Sequence, residues 1–337
     1  MKNVLIDRRY RHPALTLLLP ILVWVAGCAS PSPQKPVVPR APDSSCAQPP
    51  AVFRPLAGGL TTVGTETTLD LATWNLEFFP LRLPGNYDCP HPVDRGRLEQ
   101  TANLINILGL DIIAIQEISD PDGFDQLIPL IPGYAGLLAP EERGCNYQRP
   151  GLIYRTDQVT VQSSKLLFTG DSYAFPRSPF QVDLIMTANG RSYPLHLIVV
   201  HLKASGDSES QARRRLASAQ LKTYLDTQSA RDPDADYMIA GDWNDVLTDP
   251  LSTSSFPGFL SDPEDYTFLN MPLVGSSEFA SHPFGGGSLI DHIMVNHAAC
   301  ADFSEGFVTT LRLDLLVPFY GNVSDHRPVM VQAPIFR

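Results

Sequence analysis

The chain has 337 residues, with 25 Lys and Arg residues against 36 Asp and Glu residues, and a formal net charge of −11. Its length fits either one large domain of about 250–270 residues or two average domains. A chain this acidic has no overall electrostatic attraction for DNA, RNA or anionic lipid, which excludes tight binding driven by net charge alone.

The first 27 residues have the pattern of an export signal. Lys2 and the arginines at positions 8, 9 and 11 precede an apolar stretch, Ala14–Val25, that is interrupted by Pro20. This stretch is shorter than the ~20 residues that a transmembrane helix needs, so it predicts a signal peptide over residues 1–27. It ends in Val25-Ala26-Gly27-Cys28, which resembles the lipobox of bacterial lipoproteins; an ordinary signal peptide followed by a chance cysteine is the alternative. We therefore expect an exported protein with a lipid on Cys28, anchored to the bacterial cell envelope at the outer membrane, facing the periplasm or the surface.

Residues 28–67 are predicted to be a tether. Eight prolines fall in this region, at positions 31, 33, 36, 39, 42, 49, 50 and 55. Prolines prevent a helix or a central strand and favour an extended polyproline chain of ~3.1 Å per residue. The globular domain is then expected over residues 68–337, as a monomer. Without residues 1–27 the chain keeps 21 Lys and Arg and 35 Asp and Glu residues, a net charge of −14.

Apolar runs with strand periodicity outnumber helical patterns in that domain. Arg95–Leu108 places its apolar residues on one face and predicts an amphipathic helix, and Ser208–Leu225 predicts the longest helix. Asn189-Gly190 is typical of the type I′ turn of a hairpin. Strands are predicted over Leu69–Phe79, Asp111–Ile118, Gly151–Arg155, Val159–Leu167, Gln181–Met186, Tyr193–His201, Tyr237–Ala240, Leu289–Val295 and Val329–Pro334. This pattern favours mixed or antiparallel sheets over a doubly wound parallel sheet.

Side chains that can bind a metal or move a proton follow strand after strand. They lie in the segments Thr73–Glu77, Ile115–Glu117, Val200–Lys203, Gly241–Asn244, Leu289–His292 and Ser324–Pro328. Buried strands need polar residues only where they reach a site, so the segments are predicted to converge at one rim. Carboxylates and amides without cysteine favour a hard cation such as Mg²⁺, and histidines favour proton transfer at neutral pH. We interpret the combination as metal-assisted cleavage of a phosphate ester, for which a bound cation would locally reverse the acidic charge.

Taken in order, these segments resemble the endonuclease/exonuclease/phosphatase superfamily, the deoxyribonuclease I-like fold, over residues 69–334. The resemblance implies an α+β fold, a four-layer α/β/β/α sandwich. Two packed mixed or antiparallel sheets would carry helices on their outer faces, with the site at one end. It also implies hydrolysis that depends on Mg²⁺, with Mn²⁺ as a possible substitute.

The resemblance assigns roles residue by residue. Asn75 and Glu117 match the family's metal site, and Asp325 matches a second carboxylate close to the metal. Asp242 and Asn244 match residues that orient the attacking water and hold a phosphate oxygen. The alternatives are a strand-end turn residue for Asn75, a surface salt bridge for Glu117 and an Asx-turn for Asp242.

Two histidines complete the implied acid–base set. His326 matches the general base or protonated phosphate clamp, and Asp291 matches the carboxylate that orients it. His201 matches a general acid toward the leaving oxygen, which places the chain with secreted nucleases, sphingomyelinases and inositol-phosphate phosphatases. His292, one residue along the strand from Asp291, is expected to point to the opposite face and to be structural.

Other positions bear on substrate. Arg177 resembles an arginine that contacts phosphate in deoxyribonucleases, with an exposed loop arginine as the alternative. Leu202-Lys203-Ala204 and the Arg213–Arg215 run look most like bacterial secreted nucleases. The chain departs from deoxyribonuclease I at Glu77 and Ser119, where that enzyme has arginines, and no carboxylate to support His201 is evident near residues 147–149.

Four cysteines besides Cys28 suggest disulfides in an exported protein. Cys89 and Cys145 both lie in loop-like segments and are expected to pair, which would leave Cys46 for Cys300. No pair has the spacing of a zinc site.

The sequence therefore predicts an exported, lipid-anchored, metal-dependent phosphodiesterase. Among such enzymes, a nuclease of low sequence specificity is the preferred interpretation. A phosphatase or a sphingomyelinase-like phospholipase C is the alternative within the fold. A surface module that only binds is the alternative of another class.

Overall fold

The computed structural model describes residues 50–52, 62–81, 93–142, 144, 147–318 and 320–336. The predicted signal peptide and Cys28 lie outside these residues, as do Cys46, Cys89 and Cys145, so lipidation and the disulfide pairings stay predictions. In the part of the chain that is described, no helix has the length and apolar character needed to cross a membrane.

The described residues form thirteen strands in two sheets. In chain order they are β1 (Ala51–Val52), β2 (Leu69–Phe79), β3 (Ile112–Ile118), β4 (Tyr134–Leu138), β5 (Arg149–Arg155), β6 (Val159–Leu166), β7 (Phe180–Ala188), β8 (Arg191–His201), β9 (Tyr237–Asp242), β10 (Tyr266–Phe268), β11 (Asp291–Asn296), β12 (Phe307–Thr310) and β13 (Val329–Ala333). One sheet has the order β1-β12-β13-β2-β3-β5-β4 and the other β10-β11-β9-β8-β7-β6. In each sheet a parallel pair lies beside antiparallel neighbours: β2 with β3, and β8 with β9. Both sheets are therefore mixed, as predicted.

Five α-helices accompany the sheets among the described residues. They are α1 (Arg95–Leu108), α2 (Pro121–Asp125), α3 (Ser208–Arg231), α4 (Pro257–Leu260) and α5 (His297–Phe303). Short 3₁₀ turns occur at Ile128–Leu130, Met271–Leu273, Ser277–Phe279, Phe284–Gly286, Leu313–Leu315 and Tyr320–Asn322. The two long helices begin at Asp94 and Asp207, whose carboxylates accept a backbone N–H of the first turn.

Alternation along the strands divides the apolar side chains among three cores. Leu69 and Leu71 of β2 point into the core between the sheets, whereas Ala72 and Trp74 point outward to the core under α1. In the other sheet the inward residues of β8 and β9 join the same central core, and the outward ones pack with Leu221 and other residues of α3. Because successive strand residues face opposite sides, each sheet is covered on both faces. The result is the predicted four-layer α/β/β/α sandwich.

Most predicted elements are present with shifted ends. The helix predicted to end at Leu225 continues to Arg231, and the hairpin strands extend by up to two residues on either side of the predicted turn. Asn189 and Gly190 both have positive φ, 52° and 71°, as a type I′ turn requires. The strands β1, β4, β10 and β12 were not predicted; they are short, three of them are edge strands and β12 lies next to an edge.

Two short parts of the predicted tether pair with the domain, and the predicted boundary at residues 67 and 68 stays a prediction. Within the predicted tether, Ala51 and Val52 pair in parallel with Phe307 and Val308 of β12. The backbone N–H of Val63 also donates to the Leu108 carbonyl at 3.0 Å. Proline excludes a segment from a central strand but not from a sheet edge, which is where β1 lies.

Candidate active site

The predicted site residues come together because of the direction of their strands. Asn75 and Glu117 lie near the carboxyl ends of the parallel pair β2 and β3, and His201 and Asp242 end the parallel pair β8 and β9. Asp291 begins the antiparallel strand β11 and is directly opposite Asp242. Parallel strands end at the same edge and an antiparallel neighbour begins there, so the five side chains share one rim.

Two irregularities in the first sheet aim side chains into this rim. The register between β2 and β3 shifts between Asn75 and Phe79, and that between β3 and β5 shifts between Ile115 and Ile118. Glu77 and Glu117 have positive φ, 42° and 63°. A residue other than glycine rarely adopts this conformation, and such strain is common at functional sites. The bulges re-aim the side chains near them, so strict alternation does not describe these strand ends.

Glu117, Asn75, Asp242 and His201 form one cluster. The Asn75 amide nitrogen donates to Glu117 Oε1 and to Asp242 Oδ2, both at 3.0 Å. Its amide oxygen accepts the backbone N–H of Glu77 at 2.9 Å. Metal binding through that oxygen stays a prediction, and the amide nitrogen holds the two carboxylates together as a donor. Gln148 donates to Glu117 Oε2 at 2.7 Å and fixes the other side of the carboxylate.

His201 is buried, with 2% of its surface exposed. Its Nε2 lies 3.6 Å from both Glu117 Oε1 and Asp242 Oδ2. Among the described residues Nδ1 has no hydrogen-bond partner, which agrees with the absence of a supporting carboxylate noted in the sequence. Burial, followed by the charges of Arg177 and His326, lowers the pKa of His201 well below its usual value, so the ring is neutral.

Asp291 and His326 form the predicted pair. His326 Nδ1 lies 2.7 Å from Asp291 Oδ2, and its Nε2 faces Asp242 Oδ2 at 4.0 Å. Burial opposes a charged imidazole, but the Asp291 carboxylate outweighs it and raises the pKa of His326 to about 10. Burial and the Asp291 charge also raise the pKa of Asp242 to about 7. Trp74 and Tyr320 donate to the His326 carbonyl and so fix its backbone.

Asp325 Oδ1 lies 3.9 Å from His326 Nε2. The Asp325 backbone N–H donates to Glu77 Oε2 at 3.0 Å, so Glu77 lines the site. Burial and the Asp325 charge raise the pKa of Glu77 to about 7. The Asp325 carboxylate forms a cluster of potential metal ligands with His326 and His282, and Glu117 belongs to a different cluster.

His282 was missed in the sequence. It lies in a Ser-His-Pro segment, among glycines and serines that carry no strand or motif signal, and tertiary structure alone brings it to Asp325, at 3.7 Å. Arg97 was also missed in the sequence. It is a buried residue of α1, and nothing in the helical pattern distinguishes it from an exposed helix residue.

Arg97 holds the end of β2 in its irregular shape. Its guanidinium donates to the carbonyls of Leu76 and Glu77 on the bulge, of Leu81 at 2.6 Å and of Val323 at 2.9 Å. Four buried carbonyls from two separated segments thus share one cation. The segment before Asp325 and the segment that carries Glu77 are thereby held together.

The residues predicted to contact substrate differ in their surroundings. Asn244 follows Asp242 at φ 56°, and its backbone N–H donates to Asp242 Oδ1 at 2.9 Å. Its side-chain amide donates to the Leu202 carbonyl at 3.2 Å. Arg177 is half-buried and close enough to His201 to lower its pKa. Arg214 is buried and bonds Asp245 at 2.9 Å, so the centre of the arginine run is structural.

His292 is structural, as predicted. Its Nδ1 lies 2.8 Å from the Asn270 amide nitrogen and its Nε2 lies 2.8 Å from the Asp245 carbonyl. An amide N–H can only donate and a carbonyl can only accept, so Nδ1 is the acceptor and Nε2 carries the proton. Burial lowers the pKa of His292 to about 4, which keeps this neutral form.

The acidic and histidine side chains of this rim could hold a metal ion. Glu117, His201 and Asp242 offer ligand atoms within 4.8 Å of one another. Burial first, and neighbouring carboxylates second, raise the pKa values of Glu77 and Asp242, and a cation would offset the negative charge of those carboxylates. Oxygen donors predominate, which fits a hard divalent cation.

The sequence matches the endonuclease/exonuclease/phosphatase family over residues 72–326, about three quarters of the chain. The chain belongs to the endonuclease/exonuclease/phosphatase family. The predicted resemblance is thereby confirmed, and phosphodiester hydrolysis in general is supported. In a search of curated proteins, no sequence matched.

Several solved structures share the fold at low sequence identity. The D. rerio TDP2 complexed with single-strand DNA product has a TM-score of 0.56 and 17% identity, covering 79% of this chain and 98% of that one. The human Nocturnin catalytic domain with bound sulfate anion has a TM-score of 0.57 and 15% identity, covering 80% and 95%. An endonuclease/exonuclease/phosphatase from Bacteroides vulgatus has a TM-score of 0.56 and 17% identity, covering 79% and 98%.

Proposed function

We propose that this chain is a divalent-metal-dependent phosphodiesterase, and specifically a nuclease of low sequence specificity. The observation that carries the proposal is the pair of clusters around Asp242. On one side lie Glu117 and His201, and on the other lie Asp291 and His326. Burying two histidines against three carboxylates costs free energy, and a surface that only binds has no need for such a cluster. Buried titratable groups with shifted pKa values are typical of catalytic sites. The DNA product bound to the similar D. rerio TDP2 supports a nucleic-acid substrate.

In the proposed hydrolysis, Asp242 removes a proton from the attacking water. A general base is most effective when its pKa is near the working pH, and the pKa of Asp242 is raised to about 7. The Asn244 backbone N–H and the Asn75 amide hold the carboxylate in one orientation. The water would enter between Asp242 and the scissile phosphorus.

His326 binds a non-bridging phosphate oxygen in its charged form. Of the two roles that the sequence left open, general base or protonated clamp, the raised pKa favours the clamp. Asp291 keeps the proton on Nδ1 and the positive charge on the ring, so Nε2–H can donate to the oxygen as its charge grows.

His201 faces the leaving oxygen as a neutral donor. Its lowered pKa argues against an imidazolium acid at neutral pH. A proton on Nε2 is favoured because two carboxylate oxygens lie 3.6 Å away, whereas Nδ1 faces no acceptor among the described residues. A hydrogen bond from Nε2–H would stabilise the oxygen as it leaves, and that oxygen would take a proton from solvent while Asp242 returns to solvent the proton that it removed from the water. When bound, Mg²⁺ beside Glu117 would supply Lewis-acid stabilisation of charge on the phosphate.

Activity is expected to require Mg²⁺ or Mn²⁺ and to be lost in excess chelator. The test uses the chain from residue 29, because residues 51–52 and 63–64 pack on the domain. Single- and double-stranded DNA, RNA, sphingomyelin and inositol phosphates are the substrates. Glu117→Gln removes the charge but keeps the shape, and should need a higher Mg²⁺ concentration for half-maximal rate.

The same panel separates the alternatives. Turnover of DNA or RNA supports the nuclease, and turnover of only sphingomyelin or inositol phosphates supports the alternative hydrolases of this fold. Full activity in excess chelator would refute the metal dependence. No turnover of any substrate, with intact binding of one of them, would favour the binding module.

Export and lipid anchoring are part of the proposal and rest on residues 1–28 alone. Cys28→Ala is expected to move the protein from the membrane fraction to the soluble fraction, because Cys28 is the position that would carry the lipid. Cell fractionation with immunodetection measures this, and Ser44→Ala serves as the control variant, since Ser44 lies outside the lipobox and forms no predicted disulfide. A Cys28→Ala protein that stays in the membrane fraction would contradict the lipobox interpretation.

A further inference from the structure

His282, Asp325 and His326 form a cluster that the catalytic mechanism does not use as a unit. His282 Nε2 lies 3.7 Å from Asp325 Oδ2, and His326 Nε2 lies 3.9 Å from Asp325 Oδ1. The three ligand atoms lie within 4.8 Å of one another. Distances of 3.7 and 3.9 Å are too long for hydrogen bonds, so each imidazole faces the carboxylate without bonding it.

This spacing is close to that of ligands on one zinc ion. With zinc–ligand bonds of about 2.0–2.2 Å, two atoms on a tetrahedral ion lie roughly 3.3 Å apart. The two imidazoles face different oxygens of Asp325, and the three ligand atoms lie within 4.8 Å of one another, so each atom would move by less than about 1 Å to reach that separation. Two imidazoles and one carboxylate favour a cation such as Zn²⁺, whereas the oxygen-rich Glu117 side of the rim favours Mg²⁺.

The surroundings of the cluster hold its ligands in place. Asp291 bonds His326 Nδ1 at 2.7 Å, which turns Nε2 toward Asp325 and gives the carboxylate–histidine arrangement found behind metal-bound imidazoles. The backbone of His282 exchanges two hydrogen bonds of 2.9 Å with Ser288. The Ser281 carbonyl accepts the Arg327 N–H at 2.6 Å, so the segment with His282 is bonded directly to the segment with His326.

The cluster is also open to solvent. The side chains of His282 and Asp325 are 32% and 36% exposed, whereas His326 is 7% exposed. An ion can therefore enter from the side of His282 and Asp325 and reach the buried His326 Nε2.

We propose that His282, Asp325 and His326 form an inhibitory zinc site. Zn²⁺ would displace the Nε2 proton of His326 to solvent and occupy the nitrogen that otherwise binds phosphate, so the enzyme would be inhibited without loss of its Mg²⁺ site. The inhibition rests on the proposed function, but binding of zinc does not, since it depends only on the three ligands.

Binding is tested first, by calorimetric titration of the full chain with ZnCl₂ in excess Mg²⁺. One ion per chain is expected for the wild type, with a loss of affinity greater than about 10-fold for His282→Ala and for Asp325→Asn. Asp291→Asn removes only the group behind His326 and should weaken binding about 10–100-fold. His196→Ala is the matched control: His196 is 34% exposed and lies 2.6 Å from Asp183, on the sheet β10-β11-β9-β8-β7-β6 and away from the cluster.

Inhibition is tested second, as the zinc concentration that halves the Mg²⁺-supported rate, relative to each variant's own rate without zinc. His282→Ala should raise this concentration at least 10-fold, and His196→Ala should leave it unchanged. Absence of zinc binding to the wild type, or equal binding by His282→Ala, would overturn the site whether or not the protein is a phosphodiesterase. Zinc binding that depends on His282 but does not inhibit an active enzyme would overturn the inhibitory role.

Discussion

His326→Ala is expected to lower kcat by at least about 10²–10⁴-fold, the usual range for groups of this kind. The imidazolium would bind a phosphate oxygen as negative charge develops there, and alanine leaves the buried Asp291 carboxylate without its partner. His201→Ala is expected to have an effect in the same range. Because both act on one transition state, the double variant should lose much less than the product of the two single losses.

Stability must be measured beside activity, because the histidines do not lie at an open rim as the sequence suggested. Only 2% of His201 and 6% of His326 is exposed. Circular dichroism and urea unfolding of each variant therefore accompany kcat. His292→Asn is the control: both of its nitrogens are bonded inside the protein, so it should lower stability and change kcat only a few-fold. Wild-type turnover by folded His201→Ala and His326→Ala would refute the site.

Arg97→Met is expected to lower the free energy of unfolding by at least about 3 kcal/mol. Methionine fills similar space but cannot donate, and each carbonyl left buried without a partner costs about 1–3 kcal/mol. The segments bearing Leu76 and Val323 would lose their common donor, so Glu77 and Asp325 should be less well positioned and kcat should also fall.

Urea unfolding at constant pH measures the change in stability. Arg95→Met is a matched control, since Arg95 is exposed on the same helix and is expected to change stability by no more than about 0.5 kcal/mol. If Arg97→Met unfolds within 1 kcal/mol of the wild type, the four carbonyls find other partners and Arg97 does not hold the rim together.

The close approach of β8 and β9 requires a glycine at position 241. A Cβ on Gly241 would lie 2.0 Å from the Val200 carbonyl oxygen. Glycine in Gly241-Asp242 is therefore needed for the two strands to pair, and through that pairing His201 lies directly opposite Asp242.

The sequence by itself determined the layers and the rim. Alternating apolar residues require each strand to have two covered faces, and polar residues such as Glu117, His201 and Asp242 follow where apolar runs end. Both are local properties, so they can be read from consecutive residues. The structure brings most of the predicted site residues within a few ångströms of one another, and their catalytic roles remain a proposal.

Only the tertiary structure decided how these side chains are aimed and which others join them. The bulges at the ends of β2 and β3 bring Glu77 to Asp325, and they depend on pairing with strands far away in the chain. His282 reaches His326 because a bridge to Ser288 and a bond to Arg327 cross between loops. Burial lowers the pKa of His201, whereas the Asp291 carboxylate outweighs burial at His326 and raises its pKa. None of these depends on neighbouring residues alone, because desolvation and Coulomb interactions are set by whatever the fold brings close.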